Sequence, residues 1–137
     1  MSIDVTARVE IAKDAQTIWA FMTDPAHEPE WIGGLKTSRI QTEPPVTTGT
    51  RVERVAGFLG KRIEYVNEVT VHDPPHVLEM QSVKAPFPMH ITYTVHDDGT
   101  VTNRVRGGGR LQSLMAPMVK RNIQRDLERL KQLVEAL

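Results

Sequence analysis

The chain has no cysteine, which excludes disulfide scaffolds, thiolate zinc sites and cysteine nucleophiles. It has no excess of charge of either sign: 17 Lys and Arg balance 17 Asp and Glu, with a pI near 7.0. A domain that binds nucleic acid through a broadly basic face would look different. Aromatic residues are few, two Trp, two Tyr and three Phe, too few for a platform on which nucleobases stack. No nucleic-acid partner is expected. No apolar run approaches the ~18 residues of a membrane span, so stable membrane insertion is not expected either. The start, Met1-Ser2-Ile3-Asp4-Val5, lacks the basic n-region and apolar stretch of a signal peptide. A soluble, cytoplasmic chain is the expectation. What is present, 137 residues with 39% hydrophobic and 25% charged side chains, fits one domain over residues 1–137. A domain of this size buries roughly 68–70% of its unfolded surface and needs no covalent staples.

Hydrophobic periodicity divides the chain. Ile3, Val5, Ala7, Val9 and Ile11 alternate with Asp4, Thr6, Arg8 and Glu10, which reads as a strand with one buried face. Ala15, Ile18, Trp19, Phe21 and Met22 switch to helical spacing, with Asp14 available as a cap. Asp24-Pro25 offers an N-cap and first-turn pair for a second short helix through about Glu30. Strands are then expected over roughly Lys36–Thr42, Thr50–Phe58, Lys61–His72, Val77–Lys84, Phe87–His96 and Thr100–Arg106, separated by Pro- and Gly-bearing breaks. Short connections imply antiparallel hairpins, and Asp98-Gly99 is the strongest turn signal. After Gly107-Gly108-Gly109, the segment Ser113–Leu137 becomes helical, with Met115, Met118, Val119, Ile123, Leu127, Leu130, Val134 and Leu137 at steps of three and four. Pro117 either lies in the first turn of this helix or kinks it.

The resulting order is strand, two short helices, six strands, one long helix. The expected fold is α+β: a curved seven-stranded antiparallel sheet wrapped around a long C-terminal helix. Such a grip encloses more volume than one helix fills, and a cavity invites a ligand.

Several motifs resemble the START-like (SRPBCC) superfamily, in particular its polyketide cyclase/dehydrase and lipid-transport family, whose fold is the helix grip. They are Ile18-Trp19-Ala20-Phe21-Met22-Thr23-Asp24-Pro25 running into Pro29-Glu30-Trp31, then Gly49-Thr50-Arg51, then Glu68-Val69-Thr70-Val71-His72-Asp73-Pro74-Pro75 leading into Leu78, and the final helix. The resemblance covers nearly the whole chain. Ala12-Lys13 stands where the family often has Ala-Pro, a departure at a helix start. These motifs are caps, turns and a packing tryptophan, specific for the fold and nearly silent on chemistry.

Alternation sets the candidate lining of the cavity. Ile63, Tyr65, Asn67, Val69 and Val71 share a face. So do Leu78, Met80 and Ser82, then Phe87, Met89, Ile91, Tyr93 and Val95, and then Val101, Asn103 and Val105. Among these apolar sets sit the polar groups of Tyr65, Tyr93, Asn67 and Asn103, and Asn122 lies near the stripe of the long helix. Convergent polar groups in an apolar pocket are how small-molecule sites look. Their alternative role is to satisfy backbone or water inside an ordinary core. Met80, Met89, Met115 and Met118 fall at inner positions, where thioethers suit varied apolar ligands or fill gaps in a core. Trp31 borders the cavity in the resembling family, and it either lines the mouth or packs the helical corner. The ligand-binding candidates are therefore Trp31, Tyr65, Asn67, Met80, Met89, Tyr93, Asn103, Met115, Met118 and Asn122.

No metal or cofactor is implied, since the five His show no ligand spacing and no HExxH is present. No nucleophile elbow is present, and Glu64 and Glu68 are expected to face solvent. Arg106-Gly107-Gly108-Gly109-Arg110 offers either an anion site or a flexible crossover. Gly57-Phe58-Leu59-Gly60 offers a gating, membrane-dipping or packing hairpin tip. Three functions follow. The first is binding or transport of a hydrophobic small molecule, lipid or polyketide-like. The second is an aromatase/cyclase or dehydratase-type enzyme with Tyr65, Tyr93, Asn67, Asn103 and Arg104 as candidate donors. The third is a protein-interaction module. A free strand edge leaves both monomer and homodimer open.

Overall fold

A computed structural model describes residues 3–41, 46–58, 60–85, 88–108 and 114–137. Strand β1 (Ile3–Glu10) keeps the period written in its sequence: Ile3 and Ala7 are buried and Asp4, Thr6, Arg8 and Glu10 exposed. Helix α1 (Ala15–Met22) starts where Asp14 caps it, its carboxylate accepting from Thr17 N–H at 3.4 Å. It buries Ala15, Ile18, Trp19, Phe21 and Met22. Helix α2 (Glu28–Trp31) is shorter and later than the Asp24-Pro25 pair predicts. Asp24 instead accepts from Ala26 N–H at 2.9 Å, closing a turn, and Pro29 occupies the helix start. A side-chain bond two residues ahead competes with capping, and here it wins. Trp31 is consequently the last residue of α2.

The remaining strands are β2 (Leu35–Ile40), β3 (Arg51–Phe58), β4 (Lys61–Asp73), β5 (Val77–Lys84), β6 (Met89–Val95) and β7 (Thr100–Gly107). Every pairing is antiparallel, and the sheet order is β1-β7-β6-β5-β4-β3-β2. Six strands form a meander, and β1 closes on β7, so α1 and α2 carry the chain from one sheet edge to the other. The long helix α3 (Ala116–Glu135) has Pro117 in its first turn, where the missing N–H costs nothing. At 20 residues it spans about 30 Å. Leu137 lies beyond its end and is exposed. The architecture is the helix grip expected from the element order. No helix of the described residues is long and apolar enough to cross a membrane.

Two structural details depart from simple alternation. A register shift between Val69 and Val71 pairs Val69 with Met80 but Val71 with Glu79. This bulge turns Val71 outward, to 37% exposure, and brings His72 against Trp19, ring centroids 5.8 Å apart. Val71 therefore leaves the inner face expected for it. The second detail concerns the edge of β1. The Gln124 amide accepts from Arg8 N–H (3.2 Å) and donates to Arg8 C=O (2.8 Å), in the manner of a ladder partner. Glu135 accepts from Ala12 N–H at 2.8 Å, and Lys131 donates to Glu10 C=O. Side chains of α3 thus occupy the backbone groups that another strand would use.

The helix divides the interior. From Ile123 onward it buries Ile123, Leu127, Leu130 and Val134 against Ile18, Val95 and Val101 in a solid core. Four such side chains contribute on the order of 6–12 kcal/mol before conformational entropy is subtracted. Its N-terminal half, with Met115 and Val119 only half-buried, lies over open space.

Candidate functional site

That space is a cavity of about 210 Å³ between the concave sheet and the start of α3. Its apolar walls include Ile63, Met89, Val105, Met115 and Val119, closed at the sides by Ile3, Ala56 and the Gly33 turn. Its polar side chains come from neighbouring strands. Tyr65 and Asn67 lie two residues apart on β4, and Ser82 is the β5 register partner of Asn67. Asn67 is 2% exposed, and its Nδ2 has no hydrogen-bond partner among the described residues. Ser82 Oγ accepts from Met89 N–H at 2.8 Å.

A second, much smaller space of about 20 Å³, on the order of one water molecule, lies deeper, under α2. Trp31, Met80, Tyr93, Glu28 and Arg54 line it. The Trp31 and Tyr93 rings meet edge to face, 5.9 Å apart at 77°, which fixes α2 on the sheet. Trp31 packs the corner and borders this niche, and it does not line the larger cavity.

Arg54 and Glu28 form a buried ion pair across this niche, with Arg54 Nη2 donating to the Glu28 carboxylate. Burial pushes the Glu28 carboxyl above its usual range, against the pull of Arg54. Burial also works against the Arg54 charge, but Glu28 together with the Tyr65 and Tyr93 oxygens outweighs it and holds the guanidinium protonated. Tyr65 is the register partner of Arg54. Desolvation raises its phenol, opposed by the adjacent guanidinium, so at neutral pH it remains an O–H donor. Tyr93 is raised for the same first reason. One layer, Arg54–Tyr65, therefore separates the charged niche from the apolar cavity.

Asp126 on α3 is a half-buried acid. Its Oδ1 accepts from Gly33 N–H at 2.9 Å, pinning the α2–β2 turn to the helix. Burial pushes its carboxyl up to about 6, against the Gly33 hydrogen bond and the Arg125 charge.

Of the sequence candidates, Tyr65, Asn67, Met89 and Met115 come together at the larger cavity, and Trp31, Met80 and Tyr93 at the smaller one. Asn103 is buried on β7 with its Oδ1 unpartnered among the described residues, and it lines neither space. Met118 and Asn122 are half-buried on α3 and also line neither. Arg104 faces out, in a two-bond pair with Asp4 at 2.8 and 2.9 Å. Arg106 of β7 borders the larger cavity, while its guanidinium donates to His90 Nδ1 at 3.2 Å and lies 3.7 Å from Glu79. Gly109, Arg110 and Leu59, which belong to the other two weighed motifs, lie outside the described residues, as does Phe87.

Sequence reasoning missed Arg54, Glu28, Ser82 as a polar lining residue and Asp126. Parity alone could have found Arg54, which shares an inward face with Val52 and Ala56. Nothing local marks Glu28 or Asp126, whose burial depends on elements distant in the chain.

The chain resembles solved structures along nearly its whole length. The ZhuI aromatase/cyclase from Streptomyces sp. R1128 superposes with a TM-score of 0.79 at 16% identity, covering 98% of this chain and 94% of that one. The major latex-like protein 151 of Panax ginseng gives 0.76 at 15% identity, covering 99% and 97%. At these identities the likeness is one of fold. No curated protein matches the sequence. The family model described as polyketide cyclase / dehydrase and lipid transport matches residues 2–135. With a match of that extent, the chain belongs to the polyketide cyclase/dehydrase and lipid-transport family, as its motifs led us to expect.

Proposed function

We propose that this protein binds a small hydrophobic molecule in the cavity between its sheet and α3. The observation that carries this reading is the cavity itself, about 210 Å³ with mainly apolar walls in an otherwise well-filled interior. Packing without such a space is the norm for domain interiors, and apolar space with few polar groups is the usual form of a ligand site. The family and the fold support the same reading. Native mass spectrometry of the purified protein, followed by solvent extraction, tests it. A stoichiometric apolar adduct is the expected result. No adduct and no uptake of apolar probes would remove the reading.

A second reading, cyclase or dehydratase chemistry, is favoured by one observation. Tyr65 presents a neutral phenol to the cavity with a guanidinium beside it, an arrangement that can protonate or stabilise oxygen during enolisation or loss of water. Incubating the protein with a β-polyketone chain and following cyclised products tests this reading. Turnover lost in Tyr65→Phe while binding is retained would support catalysis, and no turnover in wild type would oppose it.

A further inference from the structure

The polar side chains of the larger cavity are not a random mixture. The unpartnered atom of Asn67 is its amide donor Nδ2. Tyr65 offers an O–H, its oxygen already facing the Arg54 guanidinium. Ser82 uses its oxygen to accept from Met89 N–H, so its proton is what remains to give. These three side chains sit on one face of two paired strands, and no carboxylate lines the cavity among the described residues. A buried donor without an acceptor is costly, and a ligand that supplies the acceptor removes that cost.

Size limits the ligand further. A dry cavity of about 150 Å³ accommodates benzene. By proportion, the 210 Å³ found here holds roughly eight to ten non-hydrogen atoms. That matches one substituted ring in the enclosed part of the cavity.

We infer that the cavity selects a compact, one-ring-sized apolar molecule carrying an acceptor oxygen, a carbonyl above all, which is held by the Tyr65–Asn67–Ser82 donor edge. This inference rests on the ligand-site reading above and narrows it to a chemical class. A ligand whose polar end is only a donor, such as an ammonium, leaves Asn67 Nδ2 unpaired and gains less.

Calorimetric titration with three probes of nearly one shape tests the inference: acetophenone, α-methylstyrene, which replaces C=O by C=CH2, and protonated 1-phenylethylamine. Acetophenone is expected to bind about tenfold tighter than α-methylstyrene, the worth of one net hydrogen bond, with the amine weakest. Asn67→Leu and Tyr65→Phe, each checked for native circular dichroism, should erode that preference while leaving α-methylstyrene affinity unchanged or improved. If Asn67→Leu fails to fold, Tyr65→Phe and the wild-type ratio decide the matter. Equal affinity for acetophenone and α-methylstyrene in wild type would overturn the donor-edge inference and leave the cavity reading intact. Binding of none of the three, together with no adduct in the extraction experiment, would overturn both.

Discussion

Arg54 on β3 and Glu28 on α2 are joined by a guanidinium–carboxylate bond with both side chains only 6% exposed. The pair ties the helical corner to the concave sheet and lies behind Tyr65. Removing one partner leaves the other charge buried and uncompensated. Arg54→Met or Glu28→Leu alone is therefore expected to lose about 3–5 kcal/mol of stability, and the double replacement markedly less than the sum. Urea denaturation of the four proteins measures this, and simple additivity would contradict the pairing.

Asp126 gives the fold a definite pH dependence. Burial pushes its native carboxyl up to about 6 from a reference of 3.8. Between those values the native state binds more protons than the unfolded chain. The stabilisation from this group is thus complete below the reference value and is lost as pH rises through 6. Asp126→Asn keeps an acceptor for Gly33 N–H. It should be more stable than wild type at pH 7.5, by on the order of 1–2 kcal/mol after allowing for partial solvent screening. The difference should vanish near pH 4. Denaturant midpoints of both proteins at the two pH values check this, and parallel pH profiles would refute it.

Ala56 lines the cavity on β3. Ala56→Leu should fill part of the space, lower acetophenone affinity at least tenfold and leave the melting temperature unchanged or slightly raised. Unchanged affinity in a folded variant would place the binding site elsewhere.

Gly34 adopts φ +79°, and a Cβ there would stand 2.7 Å from the Gly57 carbonyl oxygen. That carbonyl cannot move freely, because Gly57 N–H also donates to Gly34 C=O at 2.8 Å. Gly34→Ala should cost about 1–3 kcal/mol. A melting temperature equal to wild type would show that the turn relaxes without strain.

Local signals were legible in the sequence where local forces decide. The alternation of β1, the Asp14 cap and the Asp98-Gly99 hairpin are all present as read, with Gly99 at φ +91° and Thr100 N–H bonded to Asp98 at 2.9 Å. Each depends on residues within a few positions of one another. The helix grip was legible for a related reason: one apolar-striped helix and a meander with one apolar face have few ways to bury both. The motifs of the family reported the same constraint.

The site was legible only in part. Strand parity placed Tyr65, Asn67 and Met89 on the inner face, and α3 brought Met115 to the same cavity. The division into a charged niche and an apolar cavity was decided by tertiary structure, because Glu28 meets Arg54 from 26 residues away. The exchange of Val71 for His72 was decided by a bulge set by the partner strand β5. Asp126 reads as an ordinary polar flank of a helix until the Gly33 turn closes over it. Periodicity tells which way a side chain points, since that follows from the backbone's own geometry. What it meets there, and whether space is left over, depends on how distant elements pack, which no local pattern encodes.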